Sequence, residues 1–252
     1  MKRLISFTVL LISICVSAQR FSDSLDEASF DEMAAYFIKL DSSKLSLNVR
    51  TDLQFQKVRS FLTAHPEKSW APLLISWGRY FDSLKIDTLY NLLDSSVRER
   101  MKENIKHQKI RSLITQGMTF PEMILTDALD QPFSISSLKG KIVFIDIWSS
   151  TCKPCREEMP DLIKLYEKYK DKGFVVIGIS LDDDKTKWIN AIKKDQQPWQ
   201  QFCELKPWPN TYMFKKWGIT WMPYNFLIGR DGKLVDKEIP IRYLEEMILS
   251  LQ

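Results

Sequence analysis

Phe144-Ile145-Asp146-Ile147-Trp148-Ser149-Ser150-Thr151-Cys152-Lys153-Pro154-Cys155-Arg156-Glu157-Glu158-Met159-Pro160 decides the reading of this chain. An apolar, β-branched run stops at Trp148. Two cysteines separated by two residues follow, and then a charged run compatible with a helix. The spacing predicts strand, tight turn and helix, with the Cys-x-x-Cys pair on the turn. This arrangement delivers a sulfur to a helix N-terminus. Unpaired backbone N–H groups and the positive end of the helix dipole stabilise a thiolate there.

Cys152 is the expected nucleophile, at the exposed start of the helix. Cys155 lies one turn in, closer to the core, where it can resolve a mixed disulfide. Pro154 pre-sets φ at a helix start and lacks a donor that would go unused there. Lys153 adds positive charge beside the thiolate, which lowers its pKa. Competing readings are weaker. A zinc half-site needs two further ligands, and only Cys203, His65 and His107 remain in the mature chain. Haem attachment needs a histidine after the second cysteine, where Arg156 stands. A purely structural disulfide is the third competitor.

Outward from the motif the chain alternates β-type and helical segments from about Gly117, which argues for an α/β domain over 117–252. Residues 120–127 and 132–134 read as short edge strands around Asp130-Gln131, and 136–140 as a short helical turn. Buried strands are expected at 141–148 and 174–181, and helices at 154–172, 186–194 and 211–217. Strands 224–229 and 233–238 flank the hairpin turn Arg230-Asp231-Gly232. An amphipathic helix over 242–251 closes the domain.

Residues 19–116 read as helical and cysteine-free. Ser29-x-x-Glu32 has capping-box form before Phe30, Met33, Ala34, Phe37 and Ile38 at helical spacing. Phe55, Val58, Phe61 and Leu62 form a second stripe that ends at His65-Pro66. A third candidate runs from Trp70 to Phe81, with Pro72 in its first turn. Asp87 is expected to cap a fourth helix carrying Leu89, Leu92, Leu93 and Val97. A fifth runs through Met101, Ile105, Leu113 and Ile114.

The first 18 residues read as a signal peptide. Lys2 and Arg3 form a basic start, and Leu4–Ile14 is an apolar stretch too short to span a membrane. Val16-Ser17-Ala18 places cleavage after Ala18. A lipoprotein at Cys15 is disfavoured by the bulky Ile14 before it, and an uncleaved anchor is the other minor reading. Loss of Lys2 and Arg3 lowers the net charge from +4 to +2. No concentrated basic face points to nucleic acid. The mature chain keeps Cys152, Cys155 and Cys203, an odd number that argues against a framework of structural disulfides. Outside the cytoplasm thiols do not stay reduced by default, so a reduced pair there needs an electron donor, or else the pair works as an oxidant.

Asp146-Ile147-Trp148 before Cys-Lys-Pro-Cys, with Pro160 beyond, resembles thioredoxin. The Gly117–Gly140 lead-in, the Cys-x-Pro-Cys-Arg-Glu-Glu-x-Pro run and the Leu227-Ile228-Gly229-Arg230-Asp231-Gly232-Lys233 hairpin look like the TlpA/ResA-like branch of exported thiol–disulfide oxidoreductases. The likeness covers about Gly117 to the C-terminus. The helical lead-in more loosely resembles the N-terminal regions of exported Bacteroidetes proteins. The resemblance implies a thioredoxin fold, a central mixed sheet flanked by helices, after the mostly helical N-terminal region. It implies a cis proline beside the cysteines, matched by Pro223, with the Met222 backbone pairing to an extended substrate. It matches Asp146, read as ending a buried strand, to thioredoxin's buried aspartate, and Glu158 to the active-site glutamate of ResA-like proteins. Burial would raise either pKa and suit the group to proton transfer at the inner thiol. An ordinary strand-entry proline, a solvated Glu158 and a merely structural Asp146 are the competing readings. The expected substrate surface is Trp148, Lys153, Pro154, Met222 and Pro223.

The chain departs from the family where Ser149-Ser150-Thr151 replaces the usual Ala and aromatic, giving a smaller and more polar rim. Met222 stands where a small residue is common and makes the docking groove greasier. Cys203, in a Trp-rich insert with Trp199, Trp208, Trp217 and Trp221, reads as a buried, inert cysteine, with a third redox thiol as the alternative.

The expected function is disulfide exchange with protein partners outside the cytoplasm, as a reductase fed by an exported or membrane electron donor, with cytochrome c maturation as one setting. The redox centre is the Cys152–Cys155 pair, with no dissociable cofactor and no metal. Two alternatives belong to other classes. A peroxiredoxin-like thiol peroxidase wants a threonine at position 149, where serine stands. A client-binding or chaperone module would use residues 19–116 as the binder.

Overall fold

The computed structural model describes residues 32–252 apart from 34, 38, 41, 42, 44, 67–73, 76, 77, 79, 128 and 130. The expected signal peptide, its cleavage site and the Ser29 capping box lie outside these residues. Among the described residues no helix is long and apolar enough to cross a membrane. The chain divides into two compact units, the second being Ile114–Gln252.

The first unit is helical. Described positions between 32 and 40 are helical, followed by α1 (Leu47–Ala64), α2 (Ser83–Leu92) and α3 (Ser95–Ser112). Met33, Phe37, Val58, Leu62, Ile86, Leu89, Val97 and Ile105 share one apolar core. The helix starts differ from the expected ones. Asp82 caps α2 by accepting the Lys85 N–H at 2.7 Å, and Asp94 caps α3 by accepting the Ser96 N–H at 2.8 Å. Asp87 sits inside α2 and pairs with Lys109. The apolar run from Leu89 to Val97 is therefore cut in two, because Asp94 captures a backbone donor that would otherwise continue the helix. Of the expected helix over 70–81, Leu74 and Ile75 are helical and Phe81 is not; most of the remainder lies outside the described residues.

The second unit has a five-stranded mixed sheet of order β5-β4-β3-β6-β7. Its strands are β3 (Ile142–Trp148), β4 (Phe174–Ser180), β5 (Gln200–Cys203), β6 (Tyr224–Ile228) and β7 (Leu234–Lys237). β3, β4 and β5 run parallel, β6 runs antiparallel to β3, and β7 runs antiparallel to β6. Every residue of β3 is buried, which explains why its sequence is apolar apart from Asp146. Helices α4 (Lys153–Tyr169) and α7 (Ile241–Ser250) pack Met159, Leu162, Leu244 and Ile248 on Ile142, Phe144, Phe174 and Val176. The other face carries Val143, Ile145, Ile147, Ile177 and Phe226 under Met213 and Trp217 of α6 (Tyr212–Trp217). Helix α5 (Lys185–Asp195) sets Trp188 and Ala191 against Trp148 and the cysteines. The architecture is the expected α/β thioredoxin fold.

The two short strands expected in the lead-in form a separate two-stranded sheet. β1 (Ile124–Thr126) and β2 (Pro132–Ser134) pair only with each other. Residues around them close the edges of the large sheet. Gly117 N–H donates to Leu234 O at 2.7 Å, and Phe120 N–H to Gly232 O at 2.9 Å. Asp127 bridges Phe202 at the opposite edge. Two edges that would otherwise offer free ladder groups are thus occupied. At the end of the sheet away from the cysteines, Arg230 donates to Gly140 O at 3.0 Å and to Lys172 O at 2.9 Å, fastening the hairpin to the starts of β3 and β4.

Candidate active site

The cysteine pair stands where β3 gives way to α4. Cys152 is the N-cap of α4, and Pro154 follows in its first turn, where a missing N–H costs nothing. Cys152 and Cys155 form a disulfide with their Cα atoms 5.4 Å apart. The Cys155 N–H donates to Cys152 Sγ at 3.3 Å, and the Cys152 N–H donates to Ser149 O at 3.1 Å. A helix N-terminus therefore aims a backbone donor at the sulfur expected to attack. In the disulfide form Cys152 is only 8% exposed, hardly more than Cys155 at 3%, where the sequence predicts an exposed sulfur. Both pack in one cluster with Trp148, Trp188, Ala191 and Cys203, with Met222 against them.

The residues expected at the substrate surface divide. Met222 and Pro223 are half-buried, and the Met222–Pro223 peptide bond is cis. Pro154 is half-buried as well. Lys153 is open to solvent, its side chain 85% exposed and 3.7 Å from Glu157, so water and that carboxylate screen its charge from the thiol. Trp148, expected on this surface, is not part of it. It has no exposed surface, so it supports the cysteines from inside. Its side chain is held there because Nε1 donates to Gln201 Oε1 at 3.0 Å. The Ser149-Ser150-Thr151 rim also differs from expectation, since Ser149 is buried, Ser150 half-buried, and only Thr151 exposed.

Asp146 lies within β3, two residues before its end, between Gly178 and Asn225. Burial, with the Glu158 charge adding to it, pushes its carboxyl up to about 8. Glu158, in the first half of α4, is half-buried. Burial pushes it up to about 6, against the pull of Arg242 and with a push from Asp161. The two carboxyls thus feel each other, with their titrations held apart. Carboxylates separated in this way suit one acid and one base near neutrality.

Several residues that hold the site escape the sequence. Ser150 N–H and Oγ donate to the Asp182 carboxylate at 2.9 and 2.6 Å. Ser180 Oγ donates to the same carboxylate at 2.6 Å. Arg156 grips Asp195 through Nε and Nη2 at 2.7 and 2.6 Å, and its Nη1 reaches Ser150 O at 3.3 Å. The only hint in the sequence is the Asp182-Asp183-Asp184 run after a strand, and it does not say which aspartate turns inward. Cys203 lies on β5, a strand the sequence hides inside a Trp-rich segment. Its thiol donates to Asp182 O at 3.1 Å, and burial pushes its pKa up. Among the described residues no group of three or more His, Cys, Asp or Glu is placed to hold a metal ion.

Comparison with known proteins agrees with this geometry. Residues 115–246 match the Redoxin family. The thiol-disulfide oxidoreductase ResA of Bacillus cereus is 32% identical over 136 residues, covering 54% of this chain and 76% of that protein. The thioredoxin domain of a thiol-disulfide oxidoreductase from Bacteroides vulgatus superposes with a TM-score of 0.50 at 30% identity, over 55% of this chain and 99% of that one. The C-terminal domain of a candidate thiol-disulfide oxidoreductase from Bacteroides thetaiotaomicron gives a TM-score of 0.51 at 31% identity, over 55% and 96%. With its cysteine pair at the start of α4 and this likeness over the whole second unit, the chain belongs to the Redoxin family and is a TlpA/ResA-like thiol–disulfide oxidoreductase.

Proposed function

We propose that this oxidoreductase reduces disulfides of protein partners outside the cytoplasm. The observation that carries the chemistry is the Cys152–Cys155 disulfide on a helix N-terminus, with Cys155 N–H aimed at Cys152 Sγ. In the reduced pair, the Cys152 thiolate attacks one sulfur of a partner disulfide. A mixed disulfide forms, and the partner's other sulfur leaves as a thiol. The Cys155 thiolate then attacks Cys152 Sγ and releases the second partner thiol. Two electrons pass to the partner, and the pair is left as a disulfide.

Cys155 must lose its proton before the second step. Glu158, with its pKa near 6, is largely ionised at neutral pH and serves as the base. Asp146, near 8, is largely protonated and serves as the acid when the pair is reduced again. No dissociable cofactor takes part. The partner's extended segment lies along the Met222 backbone beside Pro223, over a surface completed by Pro154 and Lys153. An exported or membrane donor returns the electrons. Support for the compartment comes from the basic and apolar start of the sequence and the Val16-Ser17-Ala18 stretch that follows it.

Cys152→Ser should abolish catalysed insulin reduction by dithiothreitol; full activity in this variant sinks the reading. Cys155→Ser should trap mixed disulfides with partners in the exported compartment. The potential of the pair against glutathione decides direction: a value near thioredoxin's, about −270 mV, supports a reductase, and one near DsbA's, about −120 mV, an oxidase.

A further inference from the structure

We propose that Asp182 is a positioning residue for the cysteine pair: by clamping Ser150 it sets where Cys152 stands at the start of α4. The inference rests on the assignment of thiol chemistry to Cys152 and Cys155. Ser150 lies two residues before Cys152, and each of its polar groups is held. Its N–H and Oγ donate to Asp182, and its carbonyl accepts from Arg156. The next turn is closed by the Cys152 N–H on Ser149 O.

Asp182 is itself fixed. It is 7% exposed, while the neighbouring Asp183 is open to solvent and Asp184 caps α5. Its carboxylate accepts from Ser180 Oγ, its N–H donates to Ser180 Oγ at 3.0 Å, and its carbonyl accepts the Cys203 thiol. Leu181 N–H donates to Trp148 O at 2.9 Å. One aspartate thus ties the ends of β3, β4 and β5 directly behind the cysteine loop. A buried carboxylate with three donors is a stiff anchor, since the buried Ser180 hydroxyl and the half-buried Ser150 donors would lose their acceptor without it.

The consequence falls on the reduced enzyme. When the disulfide opens, the covalent tie between Cys152 and the first turn of α4 is gone. The clamp then keeps Cys152 Sγ in reach of the Cys155 N–H, which is what stabilises the thiolate. The ionisable groups on the elements around Cys152 include Lys153, Cys155, Arg156, Glu157 and Glu158 on α4, Asp146 on β3, Asp195 on α5, Cys203 on β5 and Asp182 itself. Ser150→Ala leaves all of these charges in place, so it separates position from charge.

The test is the rate of Cys152 alkylation by iodoacetamide in the reduced protein, followed by mass from about pH 5 to about pH 10. Asp182→Ala should slow alkylation at neutral pH about tenfold and move the inflection upward. Ser150→Ala should do the same by about threefold, and Asp182→Asn, which keeps an acceptor for the Ser150 N–H, should recover most of the wild-type rate. Arg230→Ala, a comparable loss of fastening at the far end of the sheet, should leave the profile unmoved. The proposal is overturned if the Asp182→Ala and Ser150→Ala profiles superimpose on wild type, or if alkylation speeds up, as loss of a nearby negative charge alone would cause. If Asp182→Ala does not fold, Ser150→Ala decides by the same criterion. A wild-type protein with no reactive thiol at Cys152 would instead overturn the exchange chemistry, a distinct result.

Discussion

Gln201 lies across Gly178: a Cβ at position 178 would fall 2.0 Å from Gln201 Oε1. That oxygen accepts the Trp148 Nε1–H at 3.0 Å, and the Gln201 amide continues to Gln197. The glycine leaves room for a side chain from β5 to cross β4 and hold the buried indole beside the cysteines. Gly178→Ala should displace Gln201 and strand the indole donor, costing about 1–3 kcal/mol in urea unfolding. The cost should shrink when Gly178→Ala is made in a Gln201→Ala background, where no side chain remains to collide. An equal cost in both backgrounds would show that the collision is not the cause.

Arg156 and Asp195 tie the first turn of α4 to the last residue of α5 through two parallel hydrogen bonds, with side chains 26% and 12% exposed. A lysine offers a point charge and cannot form the fork. Arg156→Lys should therefore destabilise the protein by about 1–2 kcal/mol in equilibrium unfolding, and Asp195→Asn by a similar amount. The two losses should not add in the double variant, because each removes the same pair. Full additivity would mean that the contact contributes little.

Cys203 should behave as a structural cysteine. It is buried, its thiol donates to Asp182 O, and burial raises its pKa. A protonated, enclosed thiol is a poor nucleophile. In the reduced native protein, mass analysis near pH 8 should show Cys152 alkylated well before Cys203, by about a hundredfold or more in rate. Comparable rates would revive a third redox thiol.

What the sequence reveals of this site is its local part. The apolar run of β3, the Cys-x-x-Cys spacing and Pro154 each carry their meaning within a few residues, and they suffice for a strand, a turn and a reactive helix start. The hidden part depends on distant partners. β5 begins Gln200-Gln201, which reads as surface, and Gln201 can be buried because Trp148, 53 residues earlier, donates to its amide oxygen while Gln197 accepts from its NH2. Asp182 is one of three consecutive aspartates, and its inward turn is fixed by Ser150, 32 residues earlier. Trp148 is expected at the substrate surface from its place next to the cysteine motif in the family resemblance; its burial follows from α5 and β5 packing over it. In the helical unit the same limit appears at Asp94, where a side-chain cap overrides an apolar periodicity that runs straight through it.

Asp146 should make the protein less stable as pH rises. In the unfolded chain its carboxyl ionises near the ordinary value of 3.8, whereas in the fold it holds its proton to about 8. Between those values the folded state binds more protons than the unfolded state, so stability is full below about pH 4 and is lost progressively up to about pH 8. Glu158 acts in the same direction over a narrower window, from 4.5 to about 6. Asp146→Asn removes the larger part of this dependence. Urea unfolding of the oxidised protein should find the variant more stable than wild type by at least about 2 kcal/mol near pH 8, since each tenfold change in proton affinity is worth about 1.4 kcal/mol. Near pH 4 the two should agree, because wild-type Asp146 is then neutral as well. A wild-type stability that stays flat between those pH values, or an advantage of the variant that is largest in acid, would show that Asp146 ionises freely in the fold and cannot hold the proton assigned to it.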